Sequence, residues 1–551
     1  MRRNWRIFVW LVLVCSGQAS AGEAAIASAH PLATQAGLQV LARGGNAFDA
    51  AVATSAALAV VEPYGSGLGG GGFWLLHRAR DRFQVMIDGR EKAPLAARRS
   101  MFLDAADKPL PRASLDGPLA AAIPGTPAAL VLIAKKYGRL PLAMSLEPAI
   151  QLAQNGFIAD ARLQRMAESR LTALNRFSPS AGFVVKGQAL PAGSLLRQSD
   201  LAATLQEIAA RGTAGFYKGR VATELVESVR AAGGIWSYAD LAQYRAVERK
   251  PISFRFRNLT VTTAALPSSA GATLAQALNI LEPLPWDSVR PAQRVHWTVE
   301  ALRRAYHDRA RYLGDSDFVD VPMERLVSKS YAADRAKTIS AENASLSADF
   351  PVAQAQGVNT THFSVIDRAG NRVAATMSIN TAFGSGLVAG NTGVVLNNEM
   401  DDFVTIPGAG NTYGLVGSYA NAIQPGKRPL SSMAPTFVED RRGVMVLGTP
   451  GGSRIISMIA LAILNYSAQQ LVDIQALIAE PRFHHQYLPD AIEFEPSTCD
   501  ADLTADLELR GHVIKYGAST WGNMQIVYYD KETNTSRAFS DPRSAKAQAG
   551  F

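Results

Sequence analysis

Cysteine is almost missing from this chain: Cys15 and Cys499 are the only two in 551 residues. Two thiols exclude a disulfide framework and any multi-thiolate metal centre. Charge is sparse too, at 19% of residues against 48% hydrophobic, the opposite of a disordered composition. A formal net charge of +8 over this length is no nucleic-acid signature. Apolar runs of membrane-spanning length, ~20 residues, are missing as well. Residues 50–61 form one of the longest, and they are too few. Glycine (45) and proline (28) stand at ordinary proportions, which excludes collagen-like and low-complexity chains. What remains is a chain able to bury a large core, as several domains or one layered α/β body.

The N-terminus carries the pattern of an export signal. Arg2, Arg3 and Arg6 precede an apolar run over residues 7–15, and Ala19-Ser20-Ala21 supplies small residues for cleavage. Val14 is bulky where lipoprotein processing at Cys15 would want a small residue. Loss of residues 1–21 lowers the net charge to +5 and leaves Cys499 alone, so no internal disulfide can form. The expected destination is the periplasm, with secretion as the alternative.

Further along, residues 30–62 read as two packed helices. The first is stopped by Gly44-Gly45, and the second begins at Asn46 or Asp49 and is apolar nearly all round. After Pro63 comes the glycine-dense stretch Gly65-Ser-Gly-Leu-Gly-Gly-Gly-Gly72. It follows a helix and precedes a strand-like run, the reverse of a dinucleotide fingerprint, so it reads as close backbone approach in a sheet. Val295, Val299, Leu302, Tyr306, Ala310 and Leu313 mark an amphipathic helix closed by Gly314. Its arginines (294, 303, 304, 309 and 311) read as a solvated face, and the polar residues 335–359 as an exposed connection. The runs 361–366 and 372–378 flank Asp367-Arg-Ala-Gly-Asn371 as a hairpin with Gly370 left-handed. Paired positions then sum to 738, which sets Thr360 opposite Ser378 with Asn380 two residues on. Two hydroxyls and a carboxamide meet at one strand end.

The string Gly357-Val-Asn359-Thr360-Thr361-His362-Phe-Ser364 resembles the processing site of the γ-glutamyltranspeptidase family, in the N-terminal-nucleophile hydrolase class. The resemblance extends over nearly the whole mature chain. It includes Val61-Glu62-Pro63, Asp88-Gly-Arg90-Glu91, Leu396-Asn397-Asn398-Glu399-Met-Asp401-Asp402 and Lys427-Arg428-Pro429-Leu430-Ser431-Ser432. It continues with Gly448-Thr-Pro450-Gly451-Gly452-Ser453-Arg454, Pro481-Arg-Phe-His484-His485 and Ser540-Asp541-Pro542-Arg543. It implies a four-layer αββα sandwich of the α+β class, made as one zymogen and self-cleaved between Asn359 and Thr360. The products would be a large subunit, residues 22–359, and a small one, residues 360–551, with net charges of +9 and −4.

Residue chemistry stands beside the resemblance. A threonine hydroxyl needs a base, and cleavage gives Thr360 a free α-amine of pKa ~7.7–8.0 that can take its own hydroxyl's proton. Ser378 keeps the hydroxyl that can hydrogen-bond this nucleophile, where the family commonly has threonine. By family position, Arg90, Ser431 and Ser432 would hold a donor's α-carboxylate, and Asn380, Glu399 and Asp402 its α-ammonium. Gly451 and Gly452 match the oxyanion-hole glycines. Residues 407–417 resemble a lid, with Tyr413 as its aromatic gate. The expected activity is transfer of a γ-glutamyl group from glutathione or a relative to water or to an amino-acid or peptide amine, through an ester on Thr360. Neither cofactor nor metal is expected: His484-His485 are adjacent, and Cys499 and His512 lack ligand spacing. Two alternatives stay open, a glutaryl- or cephalosporin-type acylase of the same fold and a non-catalytic binder of γ-glutamyl compounds.

Overall fold

A computed structural model describes residues 23–347, 360–496, 498, 500–544 and 548–550. The expected signal segment 1–21, Cys15, Asn359 and Cys499 lie outside the described residues.

Alternating apolar residues build two stacked sheets. The first draws seven strands from Ala25–Ser28 (β1), Gly71–Arg78 (β2), Phe83–Asp88 (β3), Val247–Arg249 (β4), Thr361–Ile366 (β7), Arg372–Ser378 (β8) and Gln548–Gly550 (β13). The second has six: Ile252–Phe256 (β5), Leu259–Thr263 (β6), Thr436–Glu439 (β9), Gly443–Gly448 (β10), Gln525–Asp530 (β11) and Thr535–Ser540 (β12). Their orders are β13-β1-β7-β8-β2-β3-β4 and β12-β11-β10-β9-β6-β5. Along β2, Trp74 and Leu76 enter the core under the helices, while Phe73 and Leu75 enter the core shared by the two sheets. That two-residue period is what a strand buried on both faces requires.

Helices close both outer faces. Pro31–Ala42 (α1) and Ala47–Val61 (α2) lie in the core outside the first sheet, with every residue of α2 buried. The start of α2 is fixed by a capping box: the Asn46 side chain accepts from the Asp49 N–H, and Asp49 accepts from the Asn46 N–H. Ala270–Leu281 (α3), Pro291–Tyr312 (α4) and Ile455–Ala468 (α5) pack with the second sheet. This is the αββα sandwich expected from the sequence. Among the described residues, no helix is long and apolar enough to cross a membrane.

The arginines of α4 correct the sequence reading. Arg303, Arg304 and Arg309 are buried rather than solvated. Arg303 pairs with Asp490 and donates to Glu300 at 3.1 Å. Arg304 donates to Glu300 at 2.6 Å and to the Thr338 carbonyl at 2.7 Å. Glu300 also accepts from the Ser345 N–H at 3.1 Å, and Arg303 donates to Ser347 Oγ at 2.5 Å. The polar connection is therefore pinned to α4 over residues 338–347, because these arginines need acceptors and the connecting chain supplies them.

Candidate active site

The β7–β8 hairpin decides where Thr360 lies. Thr361 pairs with Met377 and Ile366 with Arg372, the register read from the sequence, and Gly370 takes φ 80° in the turn. Thr360 precedes β7 by one residue and Ser378 ends β8, so both stand at one end of the hairpin. The glycine-rich loop packs there, as close backbone approach predicts: a Cβ at Gly70 would lie 2.1 Å from the Ser378 carbonyl oxygen. Glu62, at the end of α2, accepts from the Thr361 hydroxyl at 2.7 Å and anchors the strand start.

One cavity gathers every sequence-designated residue except Gly451. Thr360, Ser378 and Asn380 line it from the hairpin, and Arg90 from the chain after β3. Glu399 and Asp402 come from a single 3₁₀ turn, Ser431 and Ser432 from the chain before β9, and Gly452 from the turn leading into α5. Gly451 is next in sequence to Gly452, at φ 152° and 55° respectively. The first hydrogen bond of this turn runs from the Arg454 N–H to the Gly451 carbonyl, so the preceding N–H groups sit at an uncapped helical start.

Arg90 is 1% exposed and centres an acidic cluster. Its Nη1 lies 2.6 Å from Glu399 Oε2 and 3.4 Å from Glu91 Oε2, its Nη2 is 2.5 Å from Asp402 Oδ2, and its Nε donates to the Pro429 carbonyl at 3.1 Å. One guanidinium thus faces three carboxyl groups. Burial pushes the Glu399 carboxyl well above the ordinary range and that of Glu91 up to about 7, against the pull of Arg90. Glu399 Oε1 is buried with no hydrogen-bond partner among the described residues. An acceptor left open in a cavity wall suits a cationic ligand.

The loop expected as a lid places Tyr413 against this wall. Tyr413 is buried and donates to the Asn380 carbonyl at 2.8 Å, and a Cβ at Gly452 would meet its ring at 2.5 Å. Asn411 donates to Asp402 at 3.0 Å, and the Thr412 N–H donates to Asp401 at 2.9 Å. Asn380 adopts φ 74°, with its N–H on Ser378 Oγ at 2.7 Å and its amide on the Asn398 carbonyl at 2.9 Å.

His362 is the nearest imidazole in sequence to Thr360, and it is no base. Buried between the sheets, it is held to Thr376 at 2.8 Å and Ser364 at 3.2 Å, and burial lowers its pKa to about 3. No group of three or more His, Cys, Asp or Glu side chains suited to a metal ion occurs among the described residues. The family-like strings contain Glu62 and Glu91 without assigning them a role, and helical periodicity reads Arg309 as part of a solvated face. The signal for Arg309 was present: it follows Tyr306 by three and precedes Leu313 by four, on the apolar stripe.

Comparison with known proteins places relatives along nearly the whole chain. The profile of the family described as Gamma-glutamyltranspeptidase matches residues 33–551. A glutathione hydrolase proenzyme from Pseudomonas sp. (strain A14) is 43% identical over 493 residues, 88% of this chain and 85% of that protein. The glutathione hydrolase proenzyme of Escherichia coli (strain K12) is 41% identical over 527 residues, 94% of this chain and 90% of that protein. Among solved structures, a cephalosporin acylase from Bacillus halodurans superposes with a TM-score of 0.83 at 28% identity, over 96% of both chains. A profile match over nearly the whole chain and full-length relatives above 40% identity leave one assignment: the chain belongs to the γ-glutamyltranspeptidase family.

Proposed function

We propose that this protein transfers the γ-glutamyl group of glutathione or a related donor to water or to an amino-acid or peptide amine, with Thr360 as nucleophile. The observation that carries the reading is the single cavity joining Thr360 to a guanidinium, two serines and an unpartnered buried carboxylate oxygen. Maturation comes first. The Thr360 hydroxyl attacks the Asn359 carbonyl, the C–N bond gives way to an ester, and hydrolysis leaves an Asn359 carboxylate and a free Thr360 amine. Residues 22–359 and 360–551 then form the two subunits. With His362 neutral and turned between the sheets, the α-amine is the base beside this hydroxyl.

In turnover the amine takes the hydroxyl proton as Oγ bonds to the donor's γ-carbonyl carbon. The N–H groups of Gly451 and Gly452 receive the oxyanion, where one donor is worth ~3–4 kcal/mol. Collapse breaks the γ-amide bond, and the amine leaving group takes the proton. Water or an acceptor amine then attacks the ester and Thr360 Oγ recovers its proton. Ser431, Ser432 and Arg90 hold the donor's α-carboxylate, while Glu399 Oε1, Asp402 and Asn380 receive its α-ammonium. Tyr413 covers the site. Residues 1–21 direct export to the periplasm.

An acylase acting on glutaryl side chains is the second reading, supported by the likeness to the cephalosporin acylase. A glutaryl donor has no ammonium, so Glu399 Oε1 would stay buried and unpaired, which disfavours it. The test is a side-by-side assay of γ-glutamyl and glutaryl anilides. A γ-glutamyl preference supports the first reading, and a glutaryl preference overturns it.

A further inference from the structure

The two serines of the cavity are held from behind by a buried cation outside the cavity lining. Arg309, on α4, is 5% exposed, and its Nε donates to Ser269 Oγ at 3.0 Å and its Nη2 to Ser432 Oγ at 3.2 Å. Ser269 in turn donates from Oγ to the Ser431 carbonyl at 2.7 Å, and its N–H donates to the same oxygen at 2.8 Å. Ser431 Oγ accepts from the Met433 N–H at 3.1 Å.

Donor bookkeeping makes this arrangement directional. A guanidinium has five N–H donors and no acceptor, so Ser432 Oγ accepts from Arg309 and keeps its own proton for another partner. The Met433 N–H imposes the same polarity on Ser431. Both hydroxyls thus keep a proton to donate on the cavity wall they share with Arg90. Two of its five N–H donors go to hydroxyls, so Arg309 reaches the serine pair through Ser432 and Ser269.

We propose that Arg309 and Ser269 are positioning residues that preset Ser431 and Ser432 as paired hydroxyl donors, and so set the selectivity for donors bearing an α-carboxylate. The inference rests on the reading that Ser431 and Ser432 receive that carboxylate. A neutral α-carboxamide brings its own N–H donors and gains far less from two preset hydroxyls and a cation behind them.

The test compares a γ-glutamyl anilide with its α-carboxamide counterpart in mature wild type, Arg309→Met, Ser269→Ala, Ser432→Ala and the Arg309→Met/Ser432→Ala double variant. Arg309→Met should raise KM for the carboxylate donor about tenfold while kcat stays within about threefold and KM for the carboxamide within about twofold. Ser269→Ala should give the same pattern at smaller amplitude. The double variant should lose less than the two single variants' effects combined, because the arginine acts partly through that hydroxyl and partly through Ser269. Equal KM increases for both donors, or independent effects in the double variant, would overturn the proposal by making Arg309 merely structural. If Arg309→Met does not mature, Ser269→Ala with the same donor pair decides alone. If Ser432→Ala leaves the carboxylate preference intact, the underlying carboxylate reading fails. If Ser432→Ala weakens it while Arg309→Met and Ser269→Ala do not, only the positioning role fails.

Discussion

Replacing Glu399 by glutamine tests donor recognition with little change of shape. Arg90 keeps Asp402 and Glu91 as partners, and the amide carbonyl can still accept. What is lost is the charge on Oε1, the buried oxygen without a partner. A hydrogen bond to a charged group is worth ~1.5–3 kcal/mol and a neutral one ~0.5–1.5, so the difference is about 1–1.5 kcal/mol. That corresponds to a loss of about 5- to 12-fold in kcat/KM for a γ-glutamyl anilide. The penalty should depend on pH. Burial raises the Glu399 pKa, and the ammonium favours its charged form, so donor binding expels a proton and strengthens as pH rises. Glu91, pushed up to about 7, is a second buried carboxyl on the same guanidinium. As pH falls Glu399 takes up a proton and comes to resemble glutamine, so the wild-type-to-variant ratio should fall toward one. Titration of the Thr360 amine is common to both proteins and cancels in the ratio. A glutaryl anilide should show no such penalty, because it has no ammonium to lose. A ratio that does not rise with pH, or equal penalties for the two donors, would refute the assignment of Glu399 to the ammonium.

Arg90→Lys keeps one charge but loses the fork that spans Glu399 and Asp402, so KM for the donor should rise at least about tenfold while self-cleavage continues. An unchanged KM would remove Arg90 from recognition. Ser378→Ala deprives the Asn380 N–H of its acceptor and Thr360 of a neighbouring hydroxyl, and should slow both maturation and kcat. Ser378→Thr, which keeps the hydroxyl, should stay within about tenfold of the parent. Gly452→Ala would place Cβ 2.5 Å from the Tyr413 ring at φ 55°, displacing the ring from the Asn380 carbonyl. Its kcat/KM should fall sharply even where the variant matures, and normal turnover would show that Tyr413 does not cover the site.

Local rules made much of the fold legible. The register of the β7–β8 hairpin followed from one turn, because Asp367, Gly370 and Asn371 fix its length and the two-residue period does the rest. The start of α2 followed from Asn46 and Asp49, and the close approach at Gly70 from the glycine density alone. Residue chemistry and the family resemblance together named the groups that line one cavity. Long-range pairing is what escaped. Helical periodicity identified the apolar stripe of α4 but not the partners of the arginines on and beside it. The partner of Arg303 is Asp490, 187 positions away, and that of Arg309 is Ser432, 123 positions away. Likewise no spacing rule reveals that Glu399 and Asp402 converge on Arg90, more than 300 residues earlier. Such clusters are set by packing, where desolvation forces each buried charge to find a partner.

The central claim is that Thr360 becomes a chain terminus and carries the γ-glutamyl group. Intact-mass and N-terminal analysis of the purified protein, acid-quenched during turnover of a γ-glutamyl donor, tests it directly. The account predicts two chains, the smaller beginning at Thr360 and bearing one γ-glutamyl adduct on that residue, with Thr360→Ala remaining a single inactive chain. An uncut wild-type chain that turns over donor, an adduct on another residue, or normal cleavage in Thr360→Ala would contradict it.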